Sequence, residues 1–244
     1  MKTERILFII NRSSATGHNE AVVKRLRSIL DNSLGHEMEL QIRVVDEHAQ
    51  AKEYTESFLA MSTAPALIIS GAGGGTLRAI IEGICKGTEA GKLPGGDRVR
   101  IATLRMGSGN IVAKQFGVPL DPEAALKGIM ANLKSDRTAP CCAIRCEIGG
   151  GDRQEVCYAT AMAGFGQFGR CPGDLVRWHR RMPALRKLIA KFLGIERLNT
   201  IEYVVSMSLR ITSCVLRPNA AELIEVRIGE RIERMRLLVG VVMN

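Results

Sequence analysis

Strand-like and helical patterns alternate through the first half of the chain. Arg5–Ile10 (RILFII) and Ala66–Ile69 are apolar runs of strand length, as expected of strands covered on both faces. Met38–Val44 alternates apolar and polar positions, the signature of a half-buried strand, and Val99–Leu104 supplies a fourth. Between them, Val22, Leu26, Ile29 and Leu30 fall on one helical face, with Asn19 as N-cap and Gly35 as stop. Ala49–Met61 and Leu77–Cys85 predict the next two helices, and Ile111–Phe116 a short one. Asp121-Pro122-Glu123 opens another helix reaching about Leu133, with Pro in the first turn and acids beside it. The order β-α-β-α-β-α-β implies an α/β domain with an open parallel sheet, placed at residues 1–136.

The pattern changes after about Ser135. Cys141–Ile148 and Glu155–Met162 are strand-like, and Gly149-Gly150-Gly151-Asp152 between them predicts a hairpin turn. Ala163–Gly169 is expected to be a flexible, glycine-rich segment able to line a cleft, and Pro172–Leu193 a helical region broken near Pro183. Glu202–Thr212, Leu223–Ile228 and Arg231–Met243 are expected strands, the last two turned at Gly229-Glu230. Residues 137–244 therefore predict a β-rich second domain. Its final apolar run, Leu237–Asn244, has no closing element after it, so the domain is expected to be incomplete.

Composition narrows the class. With 244 residues, 46% hydrophobic and 24% charged, the chain has the balance of a soluble globular protein. No apolar run reaches membrane-span length, and Met1–Arg5 leads at once into a strand, against a signal peptide. A net charge of +9 favours an anionic partner. Aromatics at 4% offer few stacking platforms, so nucleic acid is not the expected one. The seven cysteines include no C-x-x-C pair or Cys/His metal spacing, which suits reduced thiols in a cytoplasmic protein. The isolated His18, His36 and His48 are given no role.

Three of the predicted strands end in loops rich in Gly, Ser and Asn: 11–17, 70–76 and 105–110. In open α/β sheets ligands lie beyond the carboxyl ends of the strands, where these loops would converge. Ser70-Gly71-Ala72-Gly73-Gly74-Gly75-Thr76, between a strand and a helix N-terminus, has the composition of a phosphate cradle. Glycines let an anion approach backbone N–H groups, and the helix adds unpaired donors. The loop fits neither G-x-x-x-x-G-K-[ST] nor G-x-G-x-x-G, since Thr76 stands where the third glycine of the latter belongs.

Ala72-Gly73-Gly74-Gly75-Thr76-Leu77-Arg78-Ala79-Ile80-Ile81-Glu82-Gly83-Ile84 resembles the G-G-D-G-T-L-N-E-V-V-N-G-L motif of the diacylglycerol kinase catalytic domain, shared with sphingosine kinases and more distantly with NAD kinases. Residues 105–119, with Gly107-Ser108-Gly109-Asn110, resemble the family's P-L-G-T-G-N-D-F-A-R-x-L-G-I-P motif. Asn11-Arg12-Ser13-Ser14-Ala15 resembles its N-P-x-S-G loop, and Thr160–Phe165 its N-x-A-x-x-G-F stretch. The resemblance implies two domains with ATP and lipid meeting between them, and Mg²⁺-dependent transfer of the γ-phosphate to a lipid hydroxyl. It places Asn11, Arg12, Ser13 and Ser14 near the nucleotide. Ala72, Gly73, Gly74, Gly75, Thr76, Leu77 and Arg78 would form the phosphate loop and the helix opening. Gly107, Ser108, Gly109 and Asn110 would form the second loop, with Ser108 in place of the family's ATP-contacting threonine.

Four departures bear on the chemistry. The motif's Asp is Gly74, its Asn is Arg78, its Glu is Ala79, and the Asp after Asn110 is Ile111. No Asp or Glu occurs between Glu56 and Glu82 or between Asp97 and Asp121, so the two loops bring no carboxylate for Mg²⁺ or a proton. The family's further acids, on a D-G-x-[LI] strand and a late Glu, would lie beyond residue 244. Two functions are thus expected: an ATP-dependent lipid kinase, or a non-catalytic member of the fold that binds a nucleotide or another phosphorylated ligand. Arg78 and Arg105 are candidates to supply charge where the metal ligands are missing. The basic amphipathic stretch 177–193, holding the only Trp, is a candidate for peripheral contact with an anionic membrane. The alternative is a surface helix with Leu185, Leu188, Ile189 and Phe192 toward the core.

Overall fold

The computed structural model describes residues 3–14, 19–34, 38–93, 96–107, 109–150, 153–160, 162–184, 188, 191, 199–216, 222–228, 231–237 and 239–243. All seven residues of β1 (Arg5–Asn11) are buried. It pairs in parallel with β2 (Glu39–Val45) on one side and β3 (Ala66–Gly71) on the other. β4 (Val99–Thr103) lies beyond β3, giving the order β2-β1-β3-β4. Alternate residues of β1 feed two separate cores. Ile6, Phe8 and Ile10 pack with Leu26 and Leu30 of α1 (Glu20–Ser33) and with Leu126 and Met130 of α5 (Pro122–Lys134). Leu7 and Ile9 pack with Phe58 and Leu59 of α2 (His48–Ala60) and with Ile80 and Ile84 of α3 (Gly74–Glu89). Helices on both faces explain why the middles of β1 and β3 are continuous apolar runs rather than alternating ones.

Local signals set the helix starts. The Asn19 side chain accepts from the N–H groups of Ala21 and Val22, and that of Asp121 from Ala124, with Pro122 in the first turn. α3 begins at Gly74, inside the glycine run and three residues ahead of the predicted Leu77. The stop expected at Gly35 lies outside the described residues.

The chain forms two compact units, Met1–Ala161 and Met162–Met243. In the first, a short α4 (Ile111–Gln115) precedes α5, and the antiparallel hairpin of β5 (Ile144–Gly150) and β6 (Arg153–Ala159) packs against α3. In the second, β7 (Met162–Phe165) pairs antiparallel with β10 (Val239–Met243), and β8 (Glu222–Ile228) with β9 (Arg231–Leu237). The fold is thus mixed α/β, with a parallel four-stranded sheet followed by antiparallel strand pairs.

Several expectations for the second half are corrected. The expected flexible segment Ala163–Gly169 is instead the end of β7 and the start of α6 (Gly166–Arg181), so Pro172 lies within that helix rather than opening it. A distant partner, β10, organises this segment, and local glycine content gives no sign of it. The expected strand Glu202–Thr212 is part of helix α7 (Asn199–Leu216). Among its described residues, Ser206 is buried, Glu202, Met207, Arg210 and Ser213 are half-buried, and Val204, Val205, Leu209 and Ile211 are exposed. The inward positions among them are mainly polar, and Arg210 donates from Nε to Asp174 Oδ2 at 2.7 Å and from Nη2 to Oδ1 at 2.8 Å. Expected single strands also divide: β6 ends at Ala159 before β7 begins, and β9 and β10 go to different partners. Among Leu185, Leu188, Ile189 and Phe192, only Leu188 is described, and it is 64% exposed.

One buried cation ties the base of the sheet together. Arg5, with a side chain 5% exposed, donates to Glu39 Oε2 at 2.7 Å, to the Phe58 carbonyl at 2.9 Å and to the Ser62 carbonyl at 3.2 Å, over the Phe58 ring. Arg5→Met keeps the apolar stem but leaves the buried Phe58 carbonyl unpaired. It should cost about 1–3 kcal/mol, read from the urea midpoint. The Arg5 hydrogen bond, then that of Gln41, holds the Glu39 carboxyl below its ordinary range against a smaller opposing effect of burial. This contribution is complete above the unfolded pKa of Glu39 and is lost as pH falls through the lower folded one. The gap between wild type and Arg5→Met should therefore narrow in acid.

Candidate functional site

β1 and β3 are neighbours whose connections leave in opposite directions, toward β2 and β4 respectively. Their carboxyl ends thus flank the point where the strand order reverses, the usual ligand position in open α/β sheets. The residues there are fastened together. Asn11, the last of β1 and 4% exposed, donates from Nδ2 to Thr76 Oγ1 at 2.9 Å. Its Oδ1 accepts from the Ser13 N–H at 2.8 Å, and its carbonyl accepts from Ser14 N–H. One carboxamide thereby shapes the first loop and pins the first turn of α3.

The other two loops meet backbone to backbone. A Cβ added at Gly107 would lie 2.3 Å from Gly73 Cα, and one added at Gly73 would lie 3.1 Å from Gly107 Cα. Asn110 holds the second loop in shape, with Oδ1 accepting from Gly107 N–H at 2.9 Å and Nδ2 donating to the Gly107 carbonyl at 2.6 Å. Asn110 is left-handed at φ 53°, a conformation its carboxamide tolerates well. Gly73 is the N-cap of α3 and supplies no side-chain cap to the first-turn N–H groups of Gly74, Gly75 and Thr76. Ser70 Oγ and Arg105 Nε, at the ends of the β3 and β4 segments, are buried without a hydrogen-bond partner.

The remaining predicted residues are dispersed in role. Arg12 is exposed, with its guanidinium 3.6 Å from Asp46, and Ser13 Oγ donates to the Asp46 carbonyl at 3.2 Å. Ala72 and Leu77 are buried and serve the core, whereas Gly74 and Gly109 are exposed. Ser108 lies outside the described residues. Arg78 is 3.6 Å from Glu82, which also meets Lys86 at 2.7 Å and Lys52 at 3.6 Å. Burial alone would push the Glu82 carboxyl up. The Lys86 hydrogen bond and the charges of Lys86, Lys52 and Arg78 together outweigh it and hold the group below its ordinary range.

His48 is the residue sequence reasoning missed. A Cβ at Gly75 would fall 2.7 Å from both Cε1 and Nε2 of the His48 ring, so the imidazole lies against the cradle at the start of α2. The signal was available in position rather than composition. The β2–α2 loop leaves the same carboxyl edge, although Asp46-Glu47-His48 contains no glycine.

This geometry suits an anion bearing several oxygens: bare first-turn N–H groups, close-packed glycine backbones, and nearby arginines and an imidazole. It fits the phosphates of ATP. The two glycine loops offer Mg²⁺ no carboxylate, and Glu82 of α3 is already shared by three cations.

Such a sheet and edge define an α/β unit of the diacylglycerol-kinase type. A model of the diacylglycerol kinase catalytic domain matches residues 5–139, more than half of the chain, and the chain belongs to that family. Proteins named "Probable lipid kinase YegS-like" from two Pseudomonas aeruginosa strains, UCBPP-PA14 and PAO1, are 35% identical over 88 residues. That stretch is 36% of this chain and 26% of theirs. The fold is similar to solved structures from Bacillus anthracis str. Sterne named "putative diacylglycerol kinase" and "diacylglycerol kinases". One has a TM-score of 0.65 at 17% identity and another 0.61 at 16%, each over all of this chain and 66% or 67% of the other.

The contact between loops makes a testable demand. Gly107→Ala must push the Gly73 backbone away and should lower stability by about 1–3 kcal/mol in urea unfolding. Gly109→Ala, whose Cβ meets nothing within 4 Å, should stay within about 0.5 kcal/mol of wild type.

Proposed function

We propose that this chain holds the phosphates of ATP at the carboxyl edge of its parallel sheet, as the nucleotide-binding part of a lipid kinase that phosphorylates a lipid hydroxyl. The observation that supports this most is the backbone contact of Gly73 with Gly107, which joins two loops into one cradle beside the uncapped first turn of α3. Thr76, fixed by Asn11, orients that turn. His48 adds a ring N–H donor at the rim, and Arg12, Arg78 and Arg105 add charge. These groups would bind and orient the phosphates, leaving phosphoryl transfer to need an acid that the two loops lack.

A second reading, binding without transfer, is favoured specifically by Gly74. It stands at the family's Asp position, exposed at the mouth of the cradle, and an added Cβ there meets nothing within 4 Å. The site has room for the acid and does not carry it. As for membranes, no helix among the described residues is long and apolar enough to cross one. Exposed Met182 and Leu188 beside exposed Arg177, Arg181 and Lys191 support peripheral contact with anionic lipid in either reading.

Calorimetric titration of ATP with and without Mg²⁺ tests the proposal. Affinity should stay within about threefold when EDTA replaces the metal, and Gly74→Asp should make it Mg²⁺-dependent by about tenfold. Absence of any ATP binding by the folded chain in both conditions would overturn it. Phosphoryl transfer from labelled ATP to diacylglycerol vesicles, present or absent in the wild-type chain, separates the two readings.

A further inference from the structure

The β5–β6 hairpin sets two cysteines directly opposite one another, Cys146 against Cys157 in the antiparallel register. Opposed Cα atoms in such a ladder stand about 4.5 or 5.5 Å apart, depending on whether the pair is hydrogen-bonded. A disulfide spans Cα separations of about 4.4–6.8 Å, so the Cα spacing of either kind of pair lies within its reach. Both cysteines are free thiols and half-buried, within reach of a small reagent. Their side chains share one face of the hairpin and interact. Burial first, then the charge and hydrogen bond of Cys157, push the Cys146 thiol up against an opposing pull from Arg78. Nothing in the nucleotide site uses either sulfur.

We propose that Cys146 and Cys157 form a thiol–disulfide exchange site, closing to a cross-strand disulfide in the presence of a low-molecular-weight disulfide such as oxidised glutathione. One thiol loses its proton and its sulfur attacks a glutathione sulfur, forming a mixed disulfide and releasing one glutathione thiolate. The second, also deprotonated, attacks the protein sulfur of that mixed disulfide and releases the other glutathione thiolate. The two protein thiols are oxidised to one disulfide, and one glutathione disulfide is reduced to two thiols that take up the two protons. The product staples the two strands of the hairpin that packs on α3.

Peptide mapping of the full chain tests this. Trypsin cuts after Arg145, Arg153 and Arg170, so Cys146 and Cys157 fall in different peptides, 146–153 and 154–170, unless joined. After equilibration with excess oxidised glutathione and alkylation of remaining thiols, the two peptides should appear cross-linked in a Cys141→Ser/Cys142→Ser background. Dithiothreitol should restore both thiols. In the same background, Cys157→Ser should leave Cys146 capped by glutathione. Recovery of 146–153 and 154–170 unlinked from oxidised chain would overturn the proposal, as would a link from Cys146 to any other cysteine. If the serine variants fail to fold, the same map of the wild-type chain decides it.

Discussion

Everything at the candidate site descends from the pairing of β1 with β3. β1 is buried on both faces, so its side chains are divided between two helical layers and its register against β3 is fixed along six residue pairs, Arg5–Ile10 with Ala66–Gly71. A slip of one residue would exchange the two layers and put Phe8 and Ile9 into each other's cores. With the register fixed, the chain must leave β1 and β3 side by side at the same edge. There Asn11 and Thr76 are within hydrogen-bond distance, both buried and each satisfying the other. The polar closure is possible because the apolar strands beneath it allow only one alignment.

The glycine run of residues 71–75 then separates into distinct physical roles. At Gly71 an added Cβ would meet the Phe8 ring at 2.8 Å, so this glycine serves strand packing. Gly73 serves the approach of Gly107, and Gly75 makes room for the His48 ring. Only at Gly74 does the surrounding structure impose nothing. Three of these glycines thus sit against neighbours in the protein itself, and a glycine-rich composition need not mean that each residue faces a ligand. The fourth is the one at which the family carries an acid.

Legibility followed the source of the order. β1 and β3 were readable because continuous apolar runs need covering on both faces. The starts of α1 and α5 were readable because Asn19 and Asp121 cap them through local hydrogen bonds. The loops at the cradle were readable as a group because topology sends successive strands to one edge. What failed depended on distant partners. α7 turns Ser206 and Arg210 inward and leaves Val204, Val205 and Leu209 outside, so its apolar pattern misleads and the Asp174 partner 36 residues away decides. β7 is a strand because β10 pairs with it, and the glycines of Ala163–Gly169 carry no sign of that. His48 escaped notice because its relevance lies in what it touches, not in a motif.

Charge at the cradle is arranged so that cations can be redirected at little cost. Arg78 is 56% exposed, and its partner Glu82 is already served by Lys86 at 2.7 Å and Lys52 at 3.6 Å. Exposed ion pairs are worth only about 0–1 kcal/mol, so releasing Arg78 toward an incoming anion sacrifices little and leaves no buried charge unpaired. The Arg12–Asp46 contact, 3.6 Å between side chains both more than half exposed, is similarly loose. The two glycine loops, residues 70–76 and 105–110, contain no carboxylate and so add no repulsion toward a phosphate. In the proposed reading, loss of the acid at position 74 therefore bears differently on the two steps. It removes a group that transfer requires, while leaving the N–H donors and arginines on which binding depends.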